Sequence, residues 1–166
     1  MLRTGVDDSF PLVYDETSSI DSWEVHMPKE LCVRAVHQDG MHFLVGTGEH
    51  SVHLDYPLQP GETSGPTPLE MLLASLAACA GGTLALLLRR ADASPKGLEV
   101  EVRGIRRDEH PTVLTDIDLQ FVVRGSGQDP EVIARSLRVA EEQLCPVWAM
   151  LKPGTTIKSS FRIAEA

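Results

Sequence analysis

The sequence predicts an α+β chain in the order βββ-α-ββ-α-α-β. Three observations carry this. Short runs of alternating apolar and polar residues recur on both sides of the chain's middle, as half-buried strands require. Between them, residues 71–88 carry no charge at all. Residues 130–144 place Val132, Ile133, Leu137, Ala140 and Leu144 on one side of a helix.

The elements come in this order. Residues 1–28 show no sustained period and are punctuated by Asp7, Asp8, Pro11, Asp15, Glu16 and Pro28. Phe10, Tyr14, Ile20 and Trp23 are too apolar for a free tail, so this stretch reads as an irregular arm packed on its own or a partner's surface. The domain proper is read as residues 29–166. Leu31, Val33 and Ala35 alternate with Cys32, Arg34 and Val36 in a first strand. Asp39-Gly40 marks a hairpin turn. Residues 41–46 and 51–56 read as the next two strands, and residues 57–66, with three prolines and two glycines, as a loop.

Thr67-Pro68-Leu69-Glu70 is a helix start: Thr as cap, Pro at the first helical position, Glu three residues after the cap. The apolar run behind it ends at Arg89, Arg90 and Asp92, with Pro95 and Gly97 closing the segment. Residues 98–107 and 113–124 are long strands, and Asp116, Asp118 and Gln120 make one face of the second wet. Pro130 opens the amphipathic helix, residues 146–151 form a short helix closed by Lys152-Pro153-Gly154, and residues 155–163 form the last strand.

The run at 71–88 is long enough to span a membrane. Its Ala, Gly, Ser and Thr content, its capped start and the wet strands around it instead predict a helix buried nearly all round, and no membrane. Such a helix is about 27 Å long, more than one small domain covers easily. Burial by a second copy solves this, so the pattern predicts a homodimer with this helix at its centre.

Composition narrows the function. The formal net charge is −9, from 24 acids against 15 bases, which argues against nucleic acid as a partner. Three cysteines, at 32, 79 and 145, make no disulfide scaffold and point to a reducing compartment. The N-terminus lacks the apolar stretch of a signal peptide, so the expected location is the cytoplasm. His50 and His53 are three apart on a strand and face opposite sides, and the other histidines stand in no ligand spacing, so no metal is expected.

Of the cysteines, Cys145 stands just before Pro146 at a helix start, where free backbone N–H groups favour a thiolate and a lowered pKa. Cys79 sits mid-helix among Ala77, Ala78, Ala80, Gly81 and Gly82. Two adjacent glycines there cost about 1 kcal/mol each against alanine, which calls for a packing or site reason. Cys32 reads as a strand residue without a chemical role.

Two segments together carry a resemblance. The stretch from Thr67-Pro68-Leu69-Glu70 through Ala77-Ala78-Cys79 resembles the first cysteine motif of the OsmC/Ohr family, and Leu144-Cys145-Pro146-Val147 resembles the second, 66 residues on. His110-Pro111 between two long strands is similar to the family's middle. The resemblance implies an intertwined α+β homodimer with two sites at the subunit interface. It implies a thiol-dependent peroxidase acting on organic hydroperoxides, with Cys79 as the attacking thiol and Cys145 as the resolving one. It implies no cofactor beyond an external dithiol reductant. The alternative within the same fold is a non-catalytic protein that senses redox state or binds a small apolar ligand. Two positions depart from the peroxidase members. Their glutamate directly after the motif proline is Leu69 here, with Glu70 one residue on. Nine residues turn through about 900°, which sets Glu70 opposite Cys79 on the helix. Their arginine in the early strands is absent from the stretch His37 to His42, where Arg34 is the nearest. Glu70 and Arg34 are therefore the candidate supporting residues.

Overall fold

The computed structural model describes residues 30–57 and 63–165, and these fall into two units that divide at Pro66 and Thr67. The arm expected over residues 1–28 lies outside the described residues.

The N-terminal unit is a three-stranded antiparallel meander: β1 (Arg34–His37), β2 (Phe43–Thr47) and β3 (His50–Leu54). Gly40 has φ 51° and Gly48 has φ 58°, so each tight turn uses a glycine where a side chain would strain the backbone. Val36 pairs with Leu44, and Val45 with Val52. The first strand starts later than the alternation predicts. Leu31, Cys32 and Val33 precede it, and Leu31 is 69% exposed. No described residue of these three strands is buried.

The C-terminal unit holds the core. Helix α1 (Pro68–Arg90) opens with the capping box read from the sequence: the Glu70 N–H donates to Thr67 Oγ1 at 3.2 Å, and the Thr67 N–H donates to Glu70 Oε2 at 2.7 Å. Strands β4 (Gly97–Arg106), β5 (Leu114–Arg124) and β6 (Thr156–Ala164) form one sheet in that order. β4 and β5 are antiparallel. β5 and β6 are parallel, which period and turn chemistry did not foretell. A parallel pair needs a crossover. Here α2 (Pro130–Val139), a π-helical turn (Ala140–Leu144) and α3 (Pro146–Leu151) supply it.

Period two puts Ile117, Leu119, Phe121 and Val123 on one face of β5, all buried, while Asp118 and Gln120 face out. Leu76, Ala80, Leu84 and Leu88 of α1 pack on this face, joined by Ile133, Leu137 and Trp148. Gly81 has its packing reason: a Cβ there would stand 2.9 Å from Val100 Cγ2 on β4, so its absence lets helix and sheet close up. Gly82 meets nothing within 4 Å. α1 is also long and apolar enough, by length and composition, to cross a membrane, and its buried positions among the described residues are Leu76, Ala80, Gly81, Leu84 and Leu88.

Candidate functional site

α1 and the crossover bring the two motif cysteines together. Cys79 lies mid-helix and half-buried, packed against the core. Its carbonyl oxygen accepts both in the helix and from Thr83 Oγ1 at 2.8 Å, a side-chain back-bond one turn on. Cys145 lies at the junction of the π-helical turn and α3 and is 2% exposed. Its Sγ stands 3.1 Å from the Sγ of Cys79, and both thiols are free. Among the described residues this is the hydrogen bond that the Cys79 sulfur makes.

The π-helical turn decides which residue reaches that place. The sequence predicts one helix over 130–144. The regular helix ends at Val139, and the Cys145 N–H donates to the carbonyl of Ala140, five residues back, at 2.9 Å. One extra residue in a turn rotates the residues after it by about 100°. Leu144, expected on the apolar side, is therefore 45% exposed, and Cys145 takes the buried position. Lys152 Nζ donates to Glu141 Oε1 at 3.2 Å and ties the end of α3 to this turn. Pro146 at the first helical position then starts α3, and the Ala149 N–H donates to the Cys145 carbonyl at 3.0 Å.

The electrostatics of Cys145 run against the sequence expectation. A lowered pKa was expected from the start of α3. The backbone N–H groups of Trp148 and Val147 do pull that way. Burial pulls harder, and the hydrogen bond to Cys79 adds to it, so the thiol is pushed up to about 11. Cys145 thus keeps its proton at neutral pH.

Glu70 and Arg34 are the supporting candidates named by the sequence. The Glu70 carboxylate accepts from the Thr67 backbone N–H and, at 2.8 Å, from the Thr67 hydroxyl, and these bonds hold it below the usual carboxylate range. Its role is the cap. Arg34 opens β1 in the N-terminal unit and is exposed. Cys32 is exposed, with its thiol 3.8 Å from Glu30 Oε1. Ligand spacing along the chain gives no sign of one contact. His42 Nε2 and His53 Nδ1 are 2.8 Å apart, and His42 also faces Asp39 at 3.4 Å. Strand pairing, invisible in that spacing, brings the two histidines together.

A family model described as OsmC-like protein matches residues 61–160, a span that contains both cysteines and the crossover between them. The chain belongs to the OsmC-like protein family. Among curated proteins, this OsmC-like chain is 29% identical over 101 residues to Protein YhfA of Escherichia coli strain K12, covering 61% of this chain and 75% of that one. The fold of an OsmC-like protein from Mycoplasma pneumoniae superposes with a TM-score of 0.75 at 21% identity, over 83% of this chain and 99% of that one. An organic hydroperoxide resistance protein from Elizabethkingia anophelis superposes with a TM-score of 0.66 at 16% identity, over 84% and 99%. At these identities the solved structures establish the α+β OsmC-like fold.

Proposed function

We propose that this OsmC-like chain is a cytoplasmic, thiol-dependent peroxidase that reduces organic hydroperoxides as a homodimer, with Cys79 and Cys145 as its reacting pair. The observation that carries this is the 3.1 Å separation of two free thiols, one half-buried and one buried. The name of the E. anophelis neighbour agrees with it. The Cys79 thiolate attacks the terminal oxygen of the hydroperoxide. The O–O bond breaks, the alkoxide leaves and takes a proton from water, and Cys79 becomes a sulfenic acid. Cys145 attacks the sulfenic sulfur, the S–S bond forms, and its proton leaves with the hydroxide as water. An external dithiol reduces the disulfide and is itself oxidised. No step calls for a metal or an organic cofactor.

Two features support the homodimer. The exposed side of α1 presents Ala74, Ala78 and Gly82 at four-residue spacing, small enough for close approach of another helix. The N-terminal sheet has apolar residues and no buried position. Cover from a second chain, over about 2,000 Å² in total, suits both and keeps α1 out of a membrane.

The test measures consumption of cumene hydroperoxide with dithiothreitol as reductant. Cys79→Ser abolishes it. Cys145→Ser gives one turnover and leaves a sulfenate on Cys79 that dimedone traps. Cys32→Ser changes nothing. Sustained turnover by Cys79→Ser refutes the proposal. A second reading is a redox sensor or a holder of a small apolar ligand. It is favoured by Leu69 in the place of the peroxidase glutamate, and by the engagement of Glu70 in the helix cap. A sensor loses its disulfide equally in both cysteine variants and shows no sustained turnover.

A further inference from the structure

The resolving thiol has work to do before any sulfenic acid exists. Two thiols whose sulfurs stand 3.1 Å apart cannot both ionise without strong repulsion, so the pair gives up its first proton from one of them. Solvation decides which. Cys145 is 2% exposed, while Cys79 is only half-buried, so the negative charge is less costly on Cys79. The remaining proton then lies on Cys145 and points at the charged sulfur. The start of α3 works against this through the backbone N–H groups of Trp148 and Val147, which favour charge on Cys145, but burial outweighs them.

We propose that the protonated Cys145 thiol is the hydrogen-bond donor that holds Cys79 as a thiolate, a role separate from and earlier than resolution. The donor role deepens the peroxidase reading, and its value to turnover rests on that reading. The hydrogen bond itself is open to test without peroxide. The π-helical turn acquires a purpose in this light. Without its extra residue the apolar, non-donating Leu144 would take the buried position that Cys145 holds.

The experiment uses the full chain carrying Cys32→Ser, fully reduced, and measures alkylation of Cys79 by iodoacetamide from pH 6 to 10, read on the Cys79 peptide by mass spectrometry. Cys145→Ala removes the donor, and Cys145→Ser keeps one. Both remove the resolving thiol, and both are close to cysteine in size. A hydrogen bond to a charged group is worth about a factor of ten. Cys145→Ala should therefore slow alkylation at pH 7 about tenfold relative to pH 10, while Cys145→Ser stays within about threefold of the parent. Equal slowing in both variants, or no slowing in Cys145→Ala, overturns the donor role. Normalising to pH 10 removes differences in access. The two proposals fail separately. A parent protein that consumes no hydroperoxide yet shows the alanine–serine contrast sinks the peroxidase and keeps the donor. A parent that turns over without the contrast sinks the donor alone.

Discussion

The two three-stranded sheets meet opposite fates. β4–β6 buries Ile117, Leu119, Phe121 and Val123 under α1 and the crossover helices. β1–β3 alternates as regularly, yet its best-placed aromatic, Phe43, is 37% exposed and none of its residues is buried. A three-stranded sheet alone is barely stable in water unless something covers an apolar face. The contrast teaches that alternation reports which face wants cover and not what supplies it. In the C-terminal unit the same chain supplies it, from α1 before the strand and the crossover helices after it. For the meander, the proposed second copy is the supplier.

The comparison breaks first at its strong side. Trp148 is fully buried in the C-terminal core, so Trp148→Ala should lose about 3–5 kcal/mol in chemical denaturation. Phe43→Ala tests the weak side. If a second copy covers the meander, its loss in melting temperature grows as the protein is diluted. A melting temperature independent of concentration in both parent and variant breaks the dimer.

The next effect is the pH dependence of the buried thiol. Cys145 is raised in the folded state to about 11 from the ordinary thiol value of 9.0. A raised value means that the folded protein holds the proton more tightly. This stability is fully present below about pH 9 and is lost as pH climbs towards 11, on the order of 2 kcal/mol. Denaturation of the reduced protein at pH 8 and pH 10.5 should show the loss, and Cys145→Ala should remove that part of it.

Gly82 sharpens the contrast between the two faces of α1. Nothing lies within 4 Å of a Cβ placed there, and glycine inside a helix costs about 1 kcal/mol against alanine. Gly82→Ala should stabilise the isolated chain by about that amount and weaken self-association, as read by calorimetry and sedimentation. Tighter association instead would remove this face from the interface.

The smallest effect is at the cap. Thr67→Ala should cost about 1 kcal/mol. Glu70 is lowered in the fold from 4.5, so its share is present above that pH and fades as pH falls below it. The difference between parent and variant should shrink in acid.

Some of this was readable from particular residues. Thr67, Pro68 and Glu70 announced the helix start because capping is local chemistry within four residues. Asp39-Gly40 announced its turn, and Gly40 does take positive φ. The parallel pairing of β6 with β5 was silent because it is set between strands far apart in sequence, and the meeting of His42 with His53 was silent because it is set by hairpin register and not by spacing along one strand. Glu70, a candidate helper for Cys79, belongs to the cap that its own spacing from Thr67 had already offered.

By itself the sequence determined the element order, the uncharged helix and the two cysteine motifs, since period, caps and short motifs are written in consecutive residues. The tertiary structure decided the rest of the site. A single extra residue in the π-helical turn chose Cys145 over Leu144 for the buried place. Packing then decided the sign of the thiol's shift. A local N-terminal helix field favours the thiolate, but removing Cys145 from water opposes it more strongly, and burial is a property of everything that surrounds a residue.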